Sequence, residues 1–284
     1  MTNLIFHNPE LSEEMYRKFA DFIYRQSGIN LGDNKQELVK TRFSKRIRLL
    51  GLKSFEEYYD YVIRQRHPEE LTNMIDAIST NYTFFFREKD HFDFLSSEAI
   101  PEILQTKKRQ GLRKVRAWCA AASTGEEPYT IMICLREGID AGWDIRLLAT
   151  DISTKVLKKA QAGVYEKKQI ATVSQDLQQK YFDSFVDETG EVKYKVKPIL
   201  QQSLYFRYFN LMTPQFPFKG KFDFIFCRNV MIYFDRPTQD ALTEKMLNFI
   251  EPGGYLFVGH SETLGGRAKE RVKMMGPACY KKLR

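Results

Sequence analysis

Long apolar runs are missing from this 284-residue chain. Nothing in it approaches the roughly 18 consecutive apolar residues that a membrane-spanning helix needs. The opening Met1-Thr2-Asn3-Leu4-Ile5-Phe6 is too short and too uncharged to act as a secretory signal. Both absences predict a cytoplasmic protein. Cysteine is scarce and scattered: Cys119, Cys134, Cys227 and Cys279 form no C-x-x-C pair and have no histidine cluster nearby. That pattern predicts reduced core thiols and argues against a zinc site. Neither G-x-G-x-x-G nor G-K-[ST] occurs, which disfavours a phosphate-cradling loop. Internal repeats and low-complexity segments are also lacking.

What remains is ordinary globular composition, 43% hydrophobic and 28% charged, in a length that suits one large domain or two modest ones. The net charge of +8 favours an acidic partner: a nucleic acid, an anionic membrane surface or an acidic protein. Charge alone does not choose among them.

Two periodicities divide the chain. From residue 11 to about 80 the pattern is helical throughout. Met15, Phe19, Phe22 and Ile23 share one face, with Gly28 as the stop. Val39, Phe43, Ile47 and Leu50 repeat the pattern up to Gly51. Ser54-Phe55-Glu56-Glu57 predicts a capping box, with Glu57 reaching back to the cap amide. Pro68 breaks the chain, and Leu71, Met74, Ile75 and Ile78 mark a fourth helix. From residue 115 strands and helices alternate, predicting a parallel sheet covered by helices on both faces. Strands are expected at Val115–Cys119, Ile145–Thr150, Leu204–Phe209, Phe222–Cys227 and Tyr255–Val258, with Gly253-Gly254 turning a helix into the last of them. The tail, from Val272 to Leu283, suits an antiparallel hairpin at the sheet edge. Residues 164–203 interrupt the alternation and suggest a small inserted hairpin.

A doubly wound sheet binds ligands outside the carboxyl ends of its strands. The first strand runs into Cys119-Ala-Ala-Ala-Ser-Thr-Gly-Glu-Glu-Pro128, whose small side chains let the backbone approach a ligand and whose Gly125 can take positive φ. Glu126 and Glu127 at the helix start would repel a pyrophosphate and suit hydroxyl donors or a cation. Asp151 ends the second strand, 26 residues past Gly125. There its carboxylate either accepts both ribose hydroxyls of a nucleoside or caps the following helix. Together these features favour a nucleoside without phosphates, a description that S-adenosylmethionine meets.

Several segments then carry a specific resemblance. Thr80-Asn-Tyr-Thr-Phe-Phe-Phe-Arg-Glu88, Ala120-Ala-Ala-Ser-Thr-Gly-Glu-Glu-Pro128, Cys227-Arg-Asn-Val-Met-Ile-Tyr-Phe234 and Gly259-His-Ser-Glu262 closely resemble the chemotaxis receptor glutamate O-methyltransferase family, CheR. The likeness runs from about residue 11 to the end. It implies a class I S-adenosylmethionine-dependent methyltransferase fold, Rossmann-like, with a mostly parallel sheet and an antiparallel edge strand, behind a small all-helical domain. The expected division is a helical domain and linker at 1–88, for receptor recognition, and the methyltransferase domain at 89–284, with a small inserted β-subdomain at about 164–203. The resemblance assigns the cofactor pocket to Asn81, Thr83, Arg87, Glu126, Asp151, Asn210, Leu211, Arg228 and Asn229. It places Arg87 and Tyr233 beside the transferable methyl group. It further implies S-adenosylhomocysteine as by-product, no metal, a monomer, and recruitment to membrane receptor arrays. In some family members the inserted hairpin docks a receptor tail peptide.

The chemistry fits without a catalytic base. A glutamate side chain, with an unperturbed pKa of about 4.3, is already ionised near neutrality. What is needed is positioning in a water-poor pocket. Tyr233 can donate to the spectator oxygen, or be a core aromatic; Arg87 can orient a carboxylate, or pair with Glu88 or Asp90. The flank of Lys35, Arg42, Lys45 and Arg46 beside the Val39 stripe is either solvated surface or the face that recognises acidic receptor helices; Arg42, Lys45 and Arg46 are the candidates. Two rival readings stand beside this one. An RNA or small-molecule methyltransferase is compatible with a pI near 9.1, though no RNP motif or GXXG loop is present. A noncatalytic cofactor-binding adaptor is the other.

Overall fold

The structure is a computed structural model and describes residues 9–79 and 81–283. The opening hexapeptide and Thr80 of the first family motif lie outside the described residues. Chain packing separates two compact units between residues 80 and 81. The segment 81–88, expected as the linker that follows the helical domain, packs with the second unit.

The first unit is all helical: α1 (Glu13–Ser27), α2 (Gln36–Leu49), α3 (Phe55–Tyr59, extended by a wider turn to Arg64) and α4 (Pro68–Ile78). Ser12 caps α1 through its hydroxyl, and Gly28 ends it at φ 74°. Ser54 accepts the Glu57 amide at 3.2 Å, as a capping box requires. Glu57, however, reaches back one residue further than predicted, to the Lys53 amide at 2.7 Å. The predicted stripes converge on an aromatic core in which Phe19 meets Phe43 at 4.9 Å and Phe43 meets Tyr58 at 5.4 Å, both edge to face.

The second unit begins with two helices that periodicity did not single out, α5 (Lys89–Phe94) and α6 (Ile100–Arg109). It continues as β1 (Lys114–Cys119), α7 (Glu126–Gly138), β2 (Asp144–Asp151), α8 (Thr154–Ala162), β3 (Val164–Glu166), α9 (Gln175–Tyr181), β4 (Phe182–Val186), β5 (Val192–Val196), α10 (Pro198–Gln201), β6 (Leu204–Tyr208), β7 (Phe222–Cys227), α11 (Arg236–Asn248), β8 (Ile250–Val258), β9 (Val272–Gly276) and β10 (Cys279–Lys282). Seven strands form one sheet in the order β6-β2-β1-β7-β8-β10-β9. The pairs among β6, β2, β1, β7 and β8 are parallel, and β10 is antiparallel to both its neighbours. Gly253-Gly254 lies inside β8, so the expected turn is instead an irregularity in its pairing with β7. A Cβ at Gly254 would come within 2.5 Å of the Asp223 carbonyl, which explains the glycine.

The insertion is larger than a hairpin. β3, β5 and β4 make a three-stranded antiparallel sheet, because the short Val164–Glu166 stretch joins the expected pair. The main core is aromatic: Phe92 of α5 stacks on Phe226 at 5.6 Å, and Phe226 on Phe257 at 4.2 Å. This stack fixes the residues just beyond Phe226 and Phe257, at the sheet's carboxyl edge. No helix among the described residues is long and apolar enough to cross a membrane.

Candidate functional site

Strand order reverses at β1, with β2 on one side and β7 on the other. The carboxyl ends of these strands deliver Ala120–Glu127, Asp151 and Arg228–Asn229 to one edge. The loop after β1 is pinned at its start, where the Ala120 amide donates to Phe226 O (2.7 Å) and the Ala122 amide to Thr150 O (2.9 Å). Gly125 sits at φ 101°, and a Cβ there would meet the Tyr165 hydroxyl at 2.6 Å and Ala160 Cβ at 2.9 Å. Both conformation and space require glycine.

Glu126, the first residue of α7, is only 1% exposed. Its Oε2 accepts Thr124 Oγ1 (2.6 Å) and its Oε1 accepts Gln169 Nε2 (3.1 Å). Burial raises its pKa, against those two donors. Asp151, at the end of β2, accepts the Ser123 amide on one oxygen and the Ser153 amide on the other, both at 2.9 Å. The cap of α8 is the Ser153 hydroxyl, which accepts the Val156 amide. Asp151 therefore joins two loops, and the helix cap is left to Ser153.

Segment 81–88 crosses this edge and is fastened at several points. Asn81 O accepts Ser123 Oγ, the Phe86 amide donates to Thr130 Oγ1, and Phe85 O accepts Thr172 Oγ1 at 2.6 Å. Thr83 is half-buried within it. Arg87 donates Nη1 to the Tyr82 carbonyl at 2.8 Å, so the alternative of a salt bridge to Glu88 or Asp90 is not the arrangement found. Asn210 accepts the Met212 amide, and Leu211 is buried after β6. Tyr233 is half-buried in the turn Met231–Tyr233 after β7.

Arg228 is placed differently from a pocket-lining residue. Its side chain has 0% exposure and bridges Glu88 (2.9 Å) and Glu127 (2.7 Å). It also donates to the Arg87 carbonyl and lies over the rings of Phe92 and Phe226. Its charge is spent on holding segment 81–88 and α7 together. Glu88 also accepts Asn229 Nδ2 at 3.1 Å. Although burial pushes the Glu88 pKa upward, the Asn229 amide and the Arg228 charge bring it below the usual carboxylate value. Non-glycine residues in the left-handed region gather here: Phe86, Glu88, Ser123 and Asn229. Such conformations cost about 1–3 kcal/mol each and persist where surrounding contacts over-determine them.

The motif Gly259–Glu262 carries no chemical role that its sequence alone reveals. In the structure Glu262 is buried and accepts the amides of Asn229 (3.0 Å), Gly259 (2.5 Å) and Ile232 (3.2 Å). It shapes the turn that presents Asn229 and Tyr233. Gly259 is needed because a Cβ would approach the Asn229 backbone nitrogen to 2.9 Å. Gln169, Thr124 and Glu88 were not legible as site residues; a lone glutamine in an insertion gives no signal until the fold brings it to Glu126.

In the helical unit, Arg42 and Lys45 are exposed, with Arg42 donating to Ala77 O at 3.3 Å. Arg46 is committed elsewhere. Its guanidinium grips Glu70 through both oxygens (2.8 and 2.5 Å), and Glu70 also accepts Tyr58 Oη and Asn73 Nδ2. The expected recognition flank is therefore reduced to Arg42 and Lys45, with Lys35 beside them.

Comparison with known proteins agrees with this architecture. Residues 81–280 match the family model described as CheR methyltransferase, SAM binding domain, and residues 14–79 match the CheR methyltransferase all-alpha domain. A chemotaxis protein methyltransferase of Borreliella burgdorferi is 38% identical over 97% of this chain and 96% of its own length. A probable chemotaxis protein methyltransferase of Rhizobium etli is 40% identical over 91% of this chain and 96% of its own. Chemotaxis protein methyltransferase 2 of Pseudomonas aeruginosa is 38% identical over 97% of this chain and 96% of its own.

Proposed function

The chain belongs to the CheR methyltransferase family, and from that premise we propose that it esterifies glutamate side chains of bacterial chemoreceptors with methyl groups from S-adenosylmethionine. The supporting observation is the pair of buried carboxylates, Glu126 and Asp151, held by polar donors at the carboxyl ends of β1 and β2 beside a loop of small residues. Buried carboxylates suit the hydroxyl groups of a nucleoside and repel phosphate, so the residues present fit this cofactor. Asp151 would hold the ribose, Glu126 the adenosine side, and Asn81, Thr83, Asn210, Leu211 and Asn229 the remainder of the pocket. Arg228 would contribute by fixing its neighbours.

S-adenosylmethionine, when bound, supplies a methyl group on a sulfonium cation and leaves as S-adenosylhomocysteine. The protein's own work is to orient the acceptor and keep water away. An acceptor glutamate arrives ionised, so no side chain need remove a proton. Tyr233 donates to the spectator oxygen and leaves the attacking oxygen free, since a hydrogen bond on the attacking oxygen would weaken it as a nucleophile. Arg87, with Nη1 on the Tyr82 carbonyl, keeps further N–H donors for a carboxylate of the acceptor or the cofactor. The acceptor would be the acidic cytoplasmic helix of a receptor, met by Arg42 and Lys45 of the helical unit. The enzyme would act as a cytoplasmic monomer at receptor arrays.

Incubation with radiolabelled cofactor and purified receptor cytoplasmic fragments tests this reading. Base-labile label on the receptor is expected. Label on RNA instead, or cofactor binding with no transfer to receptor, would overturn it.

A further inference from the structure

His91 of α5 is 1% exposed, and its two ring nitrogens are unequally served. Nε2 lies 2.8 Å from the Pro277 carbonyl oxygen. A carbonyl only accepts, so Nε2 carries the proton and Nδ1 of the neutral ring holds a lone pair. That Nδ1 is buried with no hydrogen-bond partner among the described residues. The polar atom it faces is another acceptor, Glu88 Oε2, at 3.6 Å. Two acceptors facing one another out of water are unfavourable unless something positive joins them. The His260 ring stands edge-on to His91 with centroids 4.7 Å apart. One ligand atom each from Glu88, His91 and His260 lies within 4.8 Å of the others.

We infer that Glu88, His91 and His260 form a binding site for a divalent transition-metal ion of the zinc, nickel and cobalt class. Two imidazoles and one carboxylate are the donor set such ions take, whereas magnesium and calcium prefer all-oxygen cages. Donors about 2.0–2.1 Å from one ion stand roughly 3.3–3.5 Å apart in a tetrahedral set. The Glu88–His91 separation of 3.6 Å is close to that already. His260, with a side chain 38% exposed, closes the remaining gap by turning inward. Outer partners are in place as well. Pro277 O fixes the His91 tautomer, and Asp90 Oδ2, 3.4 Å from His260 Nε2, can orient the second imidazole. Glu88, Asp90 and Glu127 outweigh Arg228 in formal charge, so a dication is electrostatically welcome. Arg228 and the His260 amide already share Glu88 Oε2 and compete with the ion, which keeps its binding reversible.

The site is distinct from the proposed chemistry but adjoins Arg87. An ion that draws Glu88 Oε2 away from Arg228 loosens segment 81–88, so occupancy slows methyl transfer. That consequence rests on the proposed function; the site itself does not.

The test is titration of full-length, chelator-stripped protein with zinc by calorimetry and with cobalt by visible absorption, with no methyl donor or receptor present. One equivalent should bind, with cobalt giving the ligand-field bands of a nitrogen–oxygen site. His260→Ala, at an exposed side chain, should lower affinity tenfold or more, and so should His91→Gln, whose amide can still donate to Pro277 O. His67→Ala, in the helical unit, should bind like the native protein. Unchanged affinity in His260→Ala and His91→Gln, or loss only in His67→Ala, would overturn the site and leave the methyl-transfer reading untouched.

Discussion

Glu126, proposed to hold the adenosine side of the cofactor, is a carboxylate kept buried at a cost to the fold. Burial raises its carboxyl pKa above 4.5 despite the donors Thr124 and Gln169. A raised folded-state pKa means that the folded chain holds this proton more tightly than the unfolded chain. The group's contribution to stability is therefore complete below pH 4.5 and is lost as pH rises through the higher folded value. Glu126→Gln is neutral at every pH, can still accept from Gln169 and can donate to Thr124. It should unfold at higher urea than the native protein at pH 7, with the difference closing near pH 4. Its affinity for the cofactor should meanwhile fall about tenfold to a hundredfold, the loss expected for a charged hydrogen bond of roughly 1.5–3 kcal/mol. A variant less stable at pH 7 than the native chain would contradict the burial argument. Glu262, whose carboxyl pKa burial likewise raises, is instead a carboxylate kept for shape. Glu262→Ala removes the acceptor of the buried Gly259 amide and of the partly buried Asn229 and Ile232 amides, and should cost about 1–3 kcal/mol of unfolding free energy. An alanine variant with an unchanged urea midpoint would show that the turn does not depend on it.

Among the elements, α2 carries two kinds of arginine that sequence alone did not separate. Arg42 is exposed, whereas Arg46 closes on Glu70, which also serves Tyr58 and Asn73 in the core of the helical unit. Arg46→Glu would set two carboxylates against each other where Glu70 is 6% exposed. It should destabilise the helical unit by about 3 kcal/mol, toward the lower end for a broken buried pair because Arg46 is partly solvated. Arg42→Glu and Lys45→Glu should leave the urea midpoint within about 0.5 kcal/mol while weakening receptor methylation. Equal destabilisation by all three would remove the distinction. The helices of the first unit and the strands of the main sheet were legible because their apolar spacing reports burial directly, as with Phe19 and Phe43 or Phe224 and Phe226, whereas α5 and α6 were not. The loop 119–128 stood out because its small residues and Gly125 suit a tight path, and the structure does require glycine at Gly125. What escaped depends on contacts distant in sequence. Arg228 meets Glu88 across 140 positions, Gln169 meets Glu126 across 43, and β3 pairs with β5 on three residues too few to show a period.

Over the whole molecule, charge is divided unevenly. Residues 1–80 contain twelve basic and twelve acidic side chains, so the excess of +8 resides entirely on residues 81–284. Any long-range attraction to an acidic receptor therefore comes chiefly from the unit that binds the cofactor, and the helical unit adds a local flank. Attraction between exposed charges is screened over about 8–10 Å at physiological salt, while contacts buried from solvent are screened much less. The two substrates should then respond differently to ionic strength. Raising salt from about 0.05 to 0.5 M, which shortens the screening length more than threefold, should raise KM for receptor fragments several-fold through slower encounter. KM for the cofactor should change little if, as proposed, Glu126 and Asp151 hold it, because both are buried. Steady-state kinetics with each substrate varied in turn at both salt concentrations separates the two. A receptor KM that stays flat would mean that the surplus charge serves solubility rather than recognition, and a cofactor KM that rises in parallel would mean that its pocket is open to solvent ions.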